Sequence, residues 1–306
     1  MALQGDTLWI GSLNGLYTYQ LNTKKLASLD SKSNGLPHHT IYSIIRTTDN
    51  QIYVGTYNGL CRYIEESGKF ENIPLPVNRS VSNLFVNSLL EDTSRQCIWI
   101  GMEGSLFQYT PATGLMKPID AFHNNSIKSL ALDGDGNLLA GTDNGLYVYQ
   151  NDNGTLQHIV HDSRNIQSLT NNIIWNIFAD QEQNIWLGTD YGISLSRYNS
   201  ALQFIPISQI TGTGDGNQFY SLFRDSKGFY WFGGTNGVIR FTNPTGNKHD
   251  AVWYRMGDKH HPLSHNRIRH IYEDREQQLW IATDGSINRY DSVSYTHLTL
   301  PTKLEV

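Results

Sequence analysis

The sequence predicts an all-β fold: a β-propeller of seven blades, four antiparallel strands in each, with the first and last blades incomplete. Three observations lead there. One unit, Trp186-Leu187-Gly188-Thr189-Asp190-Tyr191-Gly192-Ile193, recurs seven times, its copies starting at Trp9, Tyr53, Trp99, Leu139, Trp186, Trp231 and Trp280. Its first glycine falls at Gly11, Gly55, Gly101, Gly141, Gly188 and Gly233, with Ala282 in the seventh copy, so the period runs from 40 residues (101 to 141) to 49 (233 to 282). Periods in this range mark solenoids, propellers or arrays. Each period also holds four short apolar or alternating runs separated by turn residues, which is the content of one propeller blade.

Composition agrees. A chain of 306 residues with 39% hydrophobic residues, 11% aromatic residues and 27 glycines suits a turn-rich β-protein rather than a disordered or fibrous one. The formal charge of -5 and the lack of a long basic run give no footprint for nucleic acid. No stretch approaches the roughly 18 apolar residues of a membrane span, so no membrane segment is expected. The start, Met1 to Asp6, has neither a basic nor an apolar leader region, so no signal peptide is expected either. Cys61 and Cys97 sit in strand-like runs and read as two buried thiols, with a disulfide between them as the other reading.

Each blade reads as runs A to D. Run A begins at Ile41, Val86, Ile127, Ile174, Phe219 and Ile268. The turn after it carries Asp92, Asp133, Asp180, Asp225 and Asp274, where a carboxylate can bond the backbone two residues on. Run B is the repeated signature. Its five tryptophans fit packing between blades better than ligand contact. It leads into Asn-Gly at 14-15, 58-59, 144-145 and 236-237. That dipeptide predicts a type I′ hairpin with two residues at positive φ. Runs C and D follow, D beginning at Leu26, Phe70, Met116, Leu156, Phe204 and Val252.

Spacing within a blade is nearly constant, and length variation concentrates in the connection from D to the next A. That connection leaves on the same face as the B-to-C turn, and variable loops on a rigid scaffold are where binding usually resides. Blade one is expected to begin at its second strand. Blade seven is expected to stop at Asp291 without a D run. Residues 1-291 are thus read as the propeller and 292-306 as a non-repeat tail resembling translated adaptor or vector sequence.

Two columns of strand A behave differently. The third residue is small and polar in most copies (Ser43, Ser88, Ser129, Asn176, Ser221, His270), as the wall of a wet channel would need. The second is large and chemically mixed: Tyr42, Asn87, Lys128, Trp175, Tyr220 and Arg269. Aromatic faces beside Asn, Lys and Arg can stack on sugar rings and bond hydroxyls or carboxylates. This column is the candidate ligand-binding set, and packing between blades is its plainer reading. The Asn two places before strand A (Asn125, Asn172, Asn217, Asn266) reads as scaffold. His260, His261 and His265, with His38 and His39, lack companions for a metal site. No nucleophile elbow, phosphate loop or zincin motif is present, so neither catalytic residues nor a cofactor are expected.

The units Asn34-Gly35-Leu36-Pro37, Ser168-Leu169-Thr170-Asn171-Asn172 and Ile185-Trp186-Leu187-Gly188-Thr189 resemble two-component regulator propeller repeats. These build the sensor region of hybrid histidine kinases of Bacteroides-type bacteria. The resemblance, over residues 7 to 291, implies a periplasmic, non-enzymatic propeller that senses glycan-derived oligosaccharides, often as a homodimer. It also implies a longer protein with a second propeller, an immunoglobulin-like domain, a membrane span and kinase parts. Departures from the pattern are Leu139-Ala140, Met102 and Ala282. Two other readings stand beside it: a scaffold for dimerisation whose ligand binds elsewhere, and a propeller-type glycan hydrolase or lyase. The spacing of Asp225 to Gly228 departs from the sialidase Asp box, against the last.

Overall fold

The computed structural model describes residues 1-29, 34-76, 84-122, 125-150, 153-198, 204-206, 217-242, 251-260, 262-290 and 296-298. The chain forms seven four-stranded sheets, each with its strands side by side in chain order. They are the blades of an all-β, seven-bladed propeller. Two compact units are distinguished, Met1–Leu132 and Asp133–Val306. The A strands fall where the repeats place them: Ile41–Arg46, Val86–Asp92, Ile127–Leu132, Ile174–Ala179, Phe219–Arg224 and Ile268–Glu273.

Both end blades differ from expectation. Blade one does not begin at its second strand, because Ala2–Gln4 pairs antiparallel with Thr7–Ser12. Ala2 faces Trp9 as Ile45 faces Tyr53, so this strand matches the last part of strand A. A tight turn at Gly5, with φ of 57°, lets so short a strand fold back. Blade seven does carry a D strand: Thr296–Leu298 pairs with the C strand, Leu298 opposite Ile287. Backbone pairing is indifferent to side-chain grammar, which is why the repeat pattern missed it. The rest of the tail, 292-295 and 299-306, lies outside the described residues.

The signature strand shows why its residues repeat. A Cβ on its glycine would press into the first residue of the next blade's A strand. It would lie 2.5 Å from Ile41 Cγ2 at Gly11, 2.5 Å from Ile127 Cγ2 at Gly101, 2.7 Å from Ile174 Cγ2 at Gly141 and 2.5 Å from Ile268 Cγ2 at Gly233. At Gly188 the obstacle is backbone, the Phe219 carbonyl oxygen at 2.6 Å. Neighbouring blades meet at these points, and apolar clusters fill the space beside them. One joins Trp9 and Leu16 to Ile41, Val54 and Phe70; another joins Trp186 and Ile193 to Phe219, Phe232 and Phe241.

The tryptophans are buried between blades, Trp186 fully and Trp99 to 1% exposure. Each removes on the order of 200 Å² from water, about 5 kcal/mol at 25 cal/mol per Å². An indole N–H buried so deeply needs an acceptor. The turn aspartate supplies it: Trp99 donates to Asp92 (3.0 Å), Trp186 to Asp180 (2.8 Å), Trp231 to Asp225 (2.8 Å) and Trp280 to Asp274 (2.7 Å). The other carboxylate oxygen takes backbone N–H groups of the turn, as Asp225 does from Lys227 and Phe229. Turn chemistry and tryptophan anchoring are thus one interaction. Where Leu139 replaces tryptophan, Asp133 still accepts the side-chain amide of Asn137 at 2.8 Å, as Asp180 accepts that of Asn184 at 3.0 Å. In blade one Trp9 donates to Gln4 at 3.2 Å.

The B-to-C turns are not type I′. Gly59, Gly145 and Gly237 have φ of 110°, 104° and 96°, but the preceding asparagines are not at positive φ. The residue after the signature glycine closes the turn. Thr56 Oγ1 donates to the Gly59 carbonyl (2.9 Å) and accepts the Asn58 N–H (3.1 Å), and Thr142, Thr189 and Thr283 repeat the donation. Cys61 and Cys97 are free and buried, and burial pushes both thiols up.

Gly188→Ala should cost about 2–3 kcal/mol in urea unfolding, because the carbonyl it meets cannot rotate away. Gly233→Ala should cost less, since the Ile268 side chain can shift. A second prediction concerns acid. Burial acts to raise the Asp92 carboxyl, but hydrogen bonds from Ser94, Trp99 and Arg95 outweigh it and hold it below the usual range. A depressed carboxylate stabilises fully above the unfolded value near 4 and loses that contribution as pH falls through its folded value. Thermal unfolding below about pH 4 should therefore depend less on pH in Asp92→Asn than in the parent.

Candidate ligand-binding face

The second residue of strand A sits in a β-bulge. Ile41 faces Thr56 and Ser43 faces Gly55, which leaves Tyr42 as the extra residue. The same break isolates Asn87, Trp175, Tyr220 and Arg269. Lys128 holds the equivalent place in Ile127–Leu132. A bulge removes one residue from the ladder and re-aims its side chain. None of the six is buried, and Tyr42 and Arg269 are exposed. Packing wholly between blades therefore does not account for them.

These bulges open toward the face of the D-to-A connections and the B-to-C turns, which bond to each other. Gly59 N–H donates to the Leu84 carbonyl, Gly145 to Asn172, Gly192 to Asn217 and Gly237 to Asn266. The asparagine side chains are committed too: Asn172 accepts from His161 N–H and Asn266 from Met256 N–H. These asparagines are scaffold, as their position implied. The small polar column also ties blades together. Ser43 Oγ donates to the Val86 carbonyl (3.2 Å), and Ser221 Oγ accepts the Ile271 N–H (2.9 Å). That bonding, more than room in a channel, explains the small polar choice at Ser43 and Ser221.

In the first unit the face carries an aromatic cluster. The His38 and His39 rings stack with centroids 4.2 Å apart, Tyr57 lies 4.8 Å from His38, Phe85 lies 4.1 Å from Tyr57, and Tyr42 lies 6.0 Å from Phe85. Tyr42 is 42% and Tyr57 41% exposed, so the rings meet solvent. Burial and then His39 lower the His38 pKa; burial, Tyr57 and Glu103 raise that of Tyr42. Glu103 accepts from Ser126 Oγ at 2.6 Å, and Lys128 Nζ lies 3.5 Å from the same hydroxyl. Asn87 Nδ2 donates to the Ile127 carbonyl at 3.1 Å.

The second unit brings three members of the column together. Trp175 and Tyr220 meet edge to face with centroids 5.4 Å apart. Trp175 Nε1 and Gln218 Nε2 both donate to Asp190 Oδ1, at 3.0 and 2.6 Å. Tyr220 Oη donates to Gln218 and accepts from Arg267, whose guanidinium lies 5.5 Å from the Tyr220 ring. Arg269 lies 5.9 Å from the same ring and grips Asp284 with two bonds, Nε to Oδ1 at 2.5 Å and Nη2 to Oδ2 at 3.2 Å. Blades five, six and seven each contribute to this network.

Sequence reasoning missed part of both clusters. Phe85, Gln218 and Arg267 immediately precede strand A, and Tyr57, Glu103, Asp190 and Asp284 stand two places after the signature glycine or alanine. The column before strand A varies from blade to blade, the same signal that singled out the bulge residues, whereas the turn column repeats Asp at Asp143, Asp190 and Asp284. Among the described residues no group of three His, Cys, Asp or Glu could hold a metal ion. His261 lies outside the described residues.

Comparison with known proteins agrees with this grammar. Residues 35-58, 168-191, 213-236 and 262-285 match the family described as two component regulator propeller. Each match takes in strand A and strand B and ends in the B-to-C turn. Four of the seven blades thus carry two component regulator propeller repeats. Proteins similar to this chain include a histidine kinase and an extracellular domain of a hybrid two component system. Histidine kinase P4 of Formosa agariphila is 30% identical over 269 residues, which cover 77% of this chain and 18% of that protein. The extracellular domain of BT4673 from B. thetaiotaomicron, a protein assigned to the hybrid two component systems, is 81% identical, with a TM-score of 0.64 over 98% of this chain and 40% of that one. The chain thus spans under a fifth of one relative and two fifths of the other. A virginiamycin B lyase from Staphylococcus aureus, 13% identical with a TM-score of 0.64, covers 86% of this chain and 85% of its own, and shares the fold alone.

Proposed function

We infer that this propeller is an extracytoplasmic, non-enzymatic sensor region of a two-component signalling protein and that it binds glycan-derived oligosaccharides on the loop face. The location and the signalling role are supported by the BT4673 extracellular domain, 81% identical across nearly the whole chain. Supporting the binding role is one observation above others: the same bulge in five blades frees an incompletely buried side chain from the ladder, and the residue there varies among Tyr, Asn, Trp and Arg. A scaffold need would repeat one residue there, as it does at the glycine and the tryptophan. Rings beside fixed donors and acceptors match the amphipathic surface of a sugar. The candidate residues remain Tyr42, Asn87, Lys128, Trp175, Tyr220 and Arg269.

Calorimetric titration of the purified propeller with oligosaccharides from digested plant and host glycans tests this reading. Trp175→Ala and Arg269→Ala should each weaken binding by about tenfold or more, the loss of roughly 1.4 kcal/mol. Unchanged affinity in both would move the ligand elsewhere and leave the propeller as a dimerisation scaffold. Turnover of any of these glycans by the purified chain would overturn the non-enzymatic assignment.

A further inference from the structure

The network on blades five to seven has an internal logic beyond the bulge column. A relay of hydrogen bonds runs from the Asp190 carboxylate through Gln218 and Tyr220 to the Arg267 guanidinium. Both printed bonds to Asp190 fall on Oδ1, so Oδ2 has no hydrogen-bond partner among the described residues. At the other end Arg267 Nε is buried with no acceptor among the described residues. Leaving a charged donor unsatisfied is costly. Between these two ends stand the half-buried Trp175 and Tyr220 rings. An acceptor, two aromatic rings and a donor are thus held in fixed order by the protein's own bonds.

Charge decides what such a subsite takes. Two cations, Arg267 and Arg269, are matched by two anions, Asp190 and Asp284. Arg269 is already gripped in two places by Asp284. Tyr220 and Asp284 hold Arg267 in its charged form, through the Tyr220 hydrogen bond first. A uronate or sulfated sugar brought to Arg267 would also meet the Asp190 and Asp284 carboxylates, with no further cation bonded into this network among the described residues to offset them. Hydroxyl groups face no such conflict, since each accepts from a guanidinium and donates to a carboxylate.

Resting on the sugar-binding reading above, we propose that Arg267 and Asp190, with Trp175 and Tyr220 between them, form a subsite for an uncharged sugar, with Arg267 as a specificity-determining residue. Arg267 contributes a planar donor fork to ring hydroxyls, a role lysine cannot fill. Asp190 contributes an acceptor, and the rings take the apolar C–H face of the sugar.

The test titrates the purified chain with the β-1,4-linked tetrasaccharides of glucose, mannose and galactose, and with the tetrasaccharide of α-1,4-linked galacturonic acid. Calorimetry is read together with tryptophan emission. The signature tryptophans are buried, so emission reports on the half-buried Trp175 and Trp253, and a Trp253→Phe background isolates Trp175. At least one neutral tetrasaccharide should bind and shift the emission, and the galacturonate should not bind at tenfold higher concentration. Arg267→Lys should weaken the neutral ligand about tenfold or more with the unfolding midpoint unchanged, and Asp190→Asn should weaken it without admitting the acid sugar at equal affinity. Preferred binding of the galacturonate would overturn the charge argument while leaving the sugar-binding function intact. Neutral binding that Arg267→Lys and Asp190→Asn leave untouched would remove these residues from the site. Binding of none of the four would count against the subsite and the proposed function together.

Discussion

The structure depends on how closely one blade approaches the next at the signature glycine. At Gly11, Gly101, Gly141 and Gly233 the missing Cβ leaves room for the isoleucine that opens the neighbouring A strand, and at Gly188 for the Phe219 carbonyl. Close-packed interiors do not absorb an extra methyl group without movement. Glycine is therefore required for contact between blades, and its φ is ordinary at these positions. The tryptophan two residues earlier fills the next space along the same seam. Its N–H is anchored by a carboxylate from the turn of its own blade. Glycine, tryptophan and aspartate form one device for joining a blade to its neighbour, and so they repeat together.

Everything that varies lies outside that device. The bulge in strand A takes one residue out of the ladder without disturbing Ser43 or Ser221, whose side chains bond the following blade. A side chain freed from pairing can change without cost to the seam. Tyr, Asn, Trp and Arg all occur at this one position, in Tyr42, Asn87, Trp175, Tyr220 and Arg269, while their neighbours in the strand hardly vary. The residue before strand A and the first residue of the B-to-C turn share that freedom. In the second unit the three positions combine as Tyr220, Arg267 and Asp284.

The fold was legible in the sequence because the seam imposes a strict period, and glycine and tryptophan are rare enough to be seen. The bulge column was legible for the opposite reason, as variation against a constant background. Less legible was anything set by the partner of a side chain. The aspartates read as turn residues, but nothing in their spacing showed that their second oxygen holds an indole. Asn-Gly read as a type I′ turn, whereas the threonine hydroxyl before it closes the turn and only the glycine takes positive φ. The short strands Ala2–Gln4 and Thr296–Leu298 were missed because three residues carry too little pattern. Arg267 and Gln218 were missed because their importance arises between blades.

The central claim is that the repeated residues serve the seam and the chemically mixed bulge residues serve the loop face. Hydroxyl-radical footprinting of the folded chain, with and without a bound oligosaccharide, tests it most directly because it reads side-chain access one residue at a time. The account predicts oxidation of Tyr42, Trp175 and Tyr220 in the free protein, with Trp99, Trp186 and Trp231 spared, and protection of Trp175 and Tyr220 when ligand is bound. Protection confined to the outer D strands, with Trp175 and Tyr220 oxidised equally in both states, would contradict it.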